Sequence, residues 1–285
     1  MRLVVATVVA GRHTHLARQH RSLHAGPRQP DGLVVVSMGD PEVAGVVARG
    51  PYADTARVLA APLGPEGRLP LARARNTAVQ AAWEQDADLV VLLDVDCLAD
   101  AELLARYEEA ANRTASSPAG RVLCGPVAYL PPPHDPGRGY DEQELAAARP
   151  HAARPAPAPG ELLELEDWRL FWSLSFAVDR AAWEAIGGFD EAYTGYGGED
   201  TDLGQRARAA GVPGWWVGGA LARHQWHPVE DPPVRHLADV VRNANLFRER
   251  WGWFPMEGWL EAFERAGLAR RGPTGWETCP SVATA

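Results

Sequence analysis

Residues 87–96 read ADLVVLLDVD, an unbroken apolar run that ends on two acids one residue apart. Apolar residues without polar alternation suit a strand covered on both faces, the situation in a parallel sheet. Two other stretches extend the pattern. GLVVVSMGD at 32–40 repeats it, and MRLVVATVVAG at 1–11 is rich in β-branched residues, so a first strand is expected there, although its lone arginine and short apolar run imitate a signal peptide. The polar RHTHLARQHR that follows reads as a loop leading into a helix. Before the third run, LARARNTAVQAAWEQDA at 71–87 places apolar residues at 71, 74, 78, 79, 82 and 83, one face of a helix. This strand, helix, strand alternation predicts an α/β doubly wound, mostly parallel sheet with flanking helices and ligands bound beyond the carboxyl ends of its strands.

Downstream, Asp100 is expected to cap a helix through DAELLARYEEAANR, and RVLCGPVAYL to form a strand. Residues 131–160 contain eight prolines, which argue against regular structure and for a long loop. Order returns at DWRLFWSLSFAV; Asp179 is expected to cap a short helix ending at Gly187–Gly188, and another helix should run from near Asp200 to Gly211. VPGWWVGGALARHQWHP then supplies a last strand, and PVRHLADVVRNANLFRERWG a terminal amphipathic helix with a tryptophan-rich tail.

Composition excludes several classes. With 285 residues, 46% of them hydrophobic, the chain can bury a substantial core as one large α/β domain or two small ones. A net charge of -9 without a basic patch argues against a nucleic-acid partner. The sequence has no lysine, which removes P-loop and pyridoxal chemistry. Cys97, Cys124 and Cys279 are far apart and form no C-x-x-C, so a reducing cytoplasm is the expected location. No apolar stretch approaches the roughly 20 residues needed to span a bilayer.

Three clusters carry candidate chemistry. Asp94 and Asp96, if they continue the strand, point the same way and offer hard oxygens to Mg²⁺ or Mn²⁺; the rival reading is a strand end whose acids cap the next turn. GYGGEDTDLGQR at 195–206 sets Tyr196, Gly197 and Gly198 before Glu199, Asp200 and Asp202. Acids at a helix start are favoured by its dipole, yet two glycines also admit a ligand to the backbone, an aromatic can stack a sugar ring, and a carboxylate can accept a proton from a hydroxyl. Finally, His224 and His227 in ARHQWHP could add an imidazole to the metal site or be structural.

In order, TVVAGR at 7–12, ARN at 74–76, DVD at 94–96, FWSLSFAVDRAAWEAIGGFDEAYTGYGGEDTDLGQR at 171–206 and His224 make the chain resemble the GT-A glycosyltransferases, with a galactosyltransferase-type region downstream. The resemblance covers most of residues 1–228 and implies a Rossmann-like GT-A single domain with a C-terminal helical tail. It divides the chain into a donor-binding half at 1–128, a proline-rich loop at 129–160, an acceptor and catalytic half at 161–230 and a C-terminal helical extension at 231–285. It also implies a nucleotide-diphosphate sugar, by preference a UDP-sugar, a divalent cation and transfer to an acceptor hydroxyl with inversion. By the same resemblance Asp94, Asp96 and His224 match the metal positions, the second acid being the more direct ligand. Thr7, Arg12, Asp40 and Arg75 fall where base or phosphates are held, Tyr196 at the aromatic position, Asp200 at the catalytic base and Glu199 beside it. Thr201 replaces a third successive acid.

Two other readings compete. A haloacid-dehalogenase-like phosphatase also has an apolar strand ending in D-x-D, but its motif lies near the N-terminus and it uses a lysine. A non-catalytic sugar-nucleotide-binding module would have the pocket without turnover. Trp251, Trp253, Trp259 and Trp276 suit an acceptor site, packing of the last helix or contacts in a homodimer equally.

Overall fold

The computed structural model describes residues 1–279. The first half alternates strands and helices: β1 (Leu3–Val9), α1 (His13–Ala25), β2 (Gly32–Met38), α2 (Val43–Ala48), β3 (Ala56–Ala61), α3 (Leu71–Trp83), β4 (Leu89–Leu93), β5 (Cys97–Ala99) and α4 (Leu103–Arg113). The middle holds β6 (Val122–Cys124), β7 (Val127–Tyr129), α5 (Glu142–Ala146), β8 (Arg149–Pro150), β9 (Leu162–Glu164), β10 (Ser175–Val178), α6 (Arg180–Ile186), α7 (Glu199–Ala209), β11 (Gly214–Val217) and β12 (Ala222–His224). The chain then forms α8 (Leu237–Trp251), α9 (Glu257–Arg265) and a hairpin of β13 (Ala269–Arg271) and β14 (Trp276–Thr278).

A central sheet runs β3-β2-β1-β4-β10-β6-β11-β9. The first four strands are parallel, as their apolar runs predict. Antiparallel β10 then inserts between β4 and β6, and β9 closes the far edge antiparallel to β11, so the sheet is mixed on that side. Alternation along β1 feeds both faces. Val4, Ala6 and Val8 pack with the alanine face of α3 and with α6 and α7, whereas Leu3, Val5 and Val9 pack with α1, α2 and α4.

A second sheet, β5-β12-β7-β8, leans off the first and carries the site. It exists because Gly218–Gly219 split the expected single last strand into β11 and β12, and Gly125–Pro126 split RVLCGPVAYL into β6 and β7. Each piece joins a different sheet.

Other local expectations are corrected too. The histidine-rich stretch after β1 is helical from His13, because Leu16, Gln19, His20 and Leu23 form its buried face; two of those four are polar, which hides the period. Helix α4 starts after Glu102 rather than at Asp100, whose Oδ1 accepts the Glu102 N–H at 3.2 Å. Residues 131–160 are not devoid of structure. Their prolines sit at 131–136 and 150–159, leaving room for α5, which Asp141 and Glu144 start with a reciprocal capping box, and for β8. The Asp179 cap and the left-handed Gly187 stop of α6 agree with the sequence. The tail is more than one helix: α8, α9 and the hairpin enclose their own core of Leu237, Val240, Leu260, Phe263 and Trp276. Among the described residues no helix is long and apolar enough to cross a membrane.

Candidate active site

The apolar run of β4 ends at Leu93, and Asp94–Asp96 form the turn into β5, closed by the Cys97 N–H to the Asp94 carbonyl at 2.8 Å. The two acids therefore do not share a strand face. Asp94 meets Arg75 Nη2 at 3.1 Å, while Asp96 Oδ1 accepts from Arg12 Nη1 at 2.9 Å. Pairing in the second sheet explains the partners of Asp96. Strand β12 sets His224 opposite Cys97 on one side and Tyr129 on the other, and the Gln225 N–H bonds the Asp96 carbonyl at 2.7 Å.

Asp96, His224 and His227 thereby offer one ligand atom each, all within 4.8 Å of one another. His227 donates Nδ1–H to the Pro228 carbonyl at 3.0 Å, which leaves Nε2 facing Asp96 Oδ2 at 3.5 Å. An imidazole nitrogen and a carboxylate oxygen placed so are both ligand types for a divalent cation. Burial holds His224 down to about 4 against the pull of Asp96, so its imidazole is neutral and able to ligate at pH 7. Asp94 stays outside this trio, spent on Arg75.

Arg75 is the hub of the other cluster. It comes from the ARN stretch on α3, is 6% exposed, and donates Nη1 to Glu199 Oε1 at 2.9 Å as well as Nη2 to Asp94, tying the start of α7 to the exit of β4. Burial opposes its charge, but Asp94 and Glu199 outweigh that and raise its pKa. Asp94 itself is pushed up by burial, with Arg75 restraining the rise.

The acids of GEDTD separate by helical geometry, since successive residues turn by about 100°. Gly198, with φ 92°, opens the helix in a conformation that only glycine adopts readily. Glu199 turns inward to Arg75. Asp202, fully buried, accepts from Arg250 Nη1 and Trp251 Nε1, each at 2.8 Å, and so is a tether for the C-terminal unit. Asp200 accepts the Thr201 N–H at 2.7 Å on Oδ1, while its Oδ2 takes no hydrogen bond from the described residues. Burial, then the charge of Glu199, raises Asp200 to about 6, and Arg75 pulls the other way. From α8, Asn243 Nδ2 bonds the carbonyls of Gly197 at 2.7 Å, Thr194 at 3.1 Å and Tyr196 at 3.3 Å, so the tail helix fixes the glycine loop. No local pattern in the sequence signals that contact.

The remaining candidates scatter in role. Thr7 is buried and its hydroxyl is used on Gln19 and the Leu93 carbonyl, so it does not line the cleft. Asp40 caps the loop after β1, taking the Gly11 N–H and His13 Nε2 at 2.8 Å each; His13 holds its carboxyl below the usual range. Arg12 adopts φ 51°, ψ 30°, which aims it at Asp96. Tyr196 stacks on His236 with centroids 4.6 Å apart and leaves about a third of its surface exposed.

Comparisons with known proteins match one segment of the chain and its fold. Residues 166–224 match the family described as the N-terminal domain of galactosyltransferase. Two validoxylamine A glucosyltransferases, from Streptomyces hygroscopicus subsp. jinggangensis (strain 5008) and subsp. limoneus, are each 40% identical over 74 residues. That segment is 26% of this chain and only 16% and 15% of the two relatives. A crystal structure of S. aureus TarS 1-349 superposes with a TM-score of 0.56 at 14% identity, covering 86% of this chain and 64% of that one. The same TarS fragment in complex with UDP-GlcNAc gives 0.55 at 13% identity over 87% of this chain and 71% of that one. GalNAc-T7 with UDP, GalNAc and Mn²⁺ gives 0.53 at 13%, covering 93% and 57%.

Proposed function

We propose that this chain, a glycosyltransferase of GT-A type by its matched segment and its fold, moves a sugar from a nucleotide-diphosphate sugar to an acceptor hydroxyl with inversion. Asp200 is the general base in this reading, and Asp96, His224 and His227 hold a divalent cation. The observation that carries it is the side-by-side placement of the Asp96–His224–His227 trio and the Arg75-bridged acids at the carboxyl end of β4. Two imidazoles in the donor set favour Mn²⁺ over Mg²⁺, which prefers oxygen ligands and keeps its waters. The solved neighbours hold UDP with Mn²⁺ or UDP-GlcNAc, which makes a UDP-sugar the donor to test first.

Bound there, the cation would neutralise charge on the leaving diphosphate. The protein's own groups do the rest. Asp200, steadied on Oδ1 by Thr201, takes the acceptor proton on Oδ2. Glu199 acts through Arg75 to fix the start of α7, and Arg12 keeps Asp96 oriented. Residues 1–128 then form the donor half and 161–230 the acceptor half, with the tail beyond 231 bracing the glycine loop through Asn243.

Asp200→Asn is expected to keep UDP-sugar binding, read by thermal shift with Mn²⁺, while transfer falls by roughly 10²-fold or more. Full activity in that variant removes Asp200 from the role. Release of phosphate from simple phosphomonoesters would instead favour a phosphatase.

A further inference from the structure

The proline-rich stretch hides a second buried arginine. Arg154 sits in an arch anchored at both ends. Arg149 and Pro150 pair with Tyr129 and Ala128, and the far end packs on Gly218, where an added Cβ would lie 1.9 Å from the Ala158 carbonyl oxygen. Between these anchors the backbone is tied only to itself, by the Arg154 N–H to the His151 carbonyl at 3.0 Å and the Ala153 N–H to His151 Nδ1 at 3.2 Å.

The Arg154 side chain lies between two indoles, 5.1 Å from the Trp172 ring centre and 4.9 Å from that of Trp216, and the residue is 6% exposed. Its Nε, Nη1 and Nη2 are all buried with no hydrogen-bond partner among the described residues. Cys124, Tyr129, Tyr107, Cys97 and Asp200 lie in its field, and burial keeps the two thiols and two phenols protonated. Of these Asp200 supplies negative charge, and among the described residues it makes no ion pair with Arg154. Isolated buried cations are costly unless neutralised or paired, and burial does lower this guanidinium's pKa. Stacking on indole faces offsets part of that cost but satisfies none of its N–H groups.

Tyr129 on β7 links the arch to the candidate metal trio through ring contacts. Tyr129 lies 5.0 Å from His224 and 6.1 Å from His151, which in turn meets Trp172 at 4.8 Å. We infer that Arg154 is an anion-binding residue of the transfer site, clamped between Trp172 and Trp216 to receive a carboxylate or phosphate carried by a substrate. The inference rests on the glycosyl-transfer reading for what that substrate is, and on the buried, unpartnered fork for the site itself. Because 151–157 is tied only locally, an oxyanion reaches the fork by a shift of the arch that breaks no sheet pairing.

Thermal melts of the full chain without metal test the site. Inorganic phosphate is expected to raise the Tm of the parent. Arg154→Met should lose that rise yet melt no lower than the parent in phosphate-free buffer, since it removes an uncompensated charge and keeps the packing. Arg154→Lys, which keeps the charge and loses the fork, should retain part of the rise. An unchanged phosphate response in Arg154→Met, no response in the parent, or a Tm of Arg154→Met well below the parent's would overturn the inference, the last because it makes the residue a structural pin. Titration with UDP and uridine in Mn²⁺ then assigns the source. A loss of about tenfold or more in UDP affinity of Arg154→Met, with uridine unaffected, assigns the anion to the donor diphosphate. Unchanged UDP affinity, with the parent's phosphate response surviving saturating UDP, assigns it to an acidic acceptor. If neither UDP nor any other nucleoside diphosphate binds the parent, the glycosyl-transfer reading fails while the phosphate melts still decide the site.

Discussion

Arg75 and Arg154 are both buried guanidiniums, one on a regular helix and the other in a proline-rich arch. Arg75 is held by two carboxylates from distant parts of the chain and stacks near Phe189 at 5.3 Å; Arg154 has two indoles and, among the described residues, no carboxylate partner. The difference separates a charge used to build a site from one left for a ligand to satisfy. Compensated charge is expensive to disturb, because removing one partner strands the others.

The largest expected effect follows from that. Arg75→Met leaves buried Glu199 and partly exposed Asp94 without their cation and should cost about 3–5 kcal/mol, the usual penalty for breaking a buried pair such as Arg75–Glu199, read by urea denaturation. A loss within about 1 kcal/mol would show that Arg75 is no better compensated than Arg154, and the contrast would collapse. Next, Asn243→Ala strands the Tyr196 and Gly197 carbonyls of the glycine loop, while the Thr194 carbonyl keeps Arg242 Nη2. It should cost about 1–3 kcal/mol and lower transfer while leaving the Mn²⁺-induced Tm shift in place, since the Asn243 amide nitrogen bonds the glycine loop at 194, 196 and 197 and none of the metal trio.

Asp200 lies within the field of both arginines, and pH probes it. As a base it must be ionised, so activity should fall as pH drops through about 6. Stability should move the other way. A carboxyl whose folded pKa exceeds its ordinary value favours the fold most below that ordinary value, and the contribution is lost as pH rises through about 6. Asp200→Asn should therefore be at least as stable as the parent at pH 8, with the gap closing toward pH 4; a parent that is the more stable at pH 8 would contradict the burial argument. The smallest effect is expected from Trp172→Leu, which removes one face of the Arg154 clamp and should cost about 0.5–2 kcal/mol. A null result there would mean that Trp216 alone holds the guanidinium.

Much of the architecture was legible because it is written in local periodicity. The apolar runs at 3–9, 32–38 and 89–93 became the parallel strands, and Asp179 with Gly187 bounded α6 as cap and stop residues do. The failures have separate causes. Polar residues at buried positions, Gln19 and His20, masked the start of the first helix, and a Gly-Gly and a Gly-Pro step that looked like strand interior divided single strands between two sheets. The tail's second helix and hairpin were missed because their apolar residues pack on one another rather than on the main core.

By itself the sequence determined the strands and helices of the first half, the acid pair at the end of β4 and the acid cluster at the start of α7, since each depends on neighbours within a few residues. Only the tertiary structure decided what each acid does. Arg75 reaches Glu199 across 124 positions, and Asp96 finds His224 and His227 only through the register of β5 on β12. Side-chain period fixes which face is buried, but strand order and register choose what meets across it; the same distinction leaves Arg75 paired and Arg154 open.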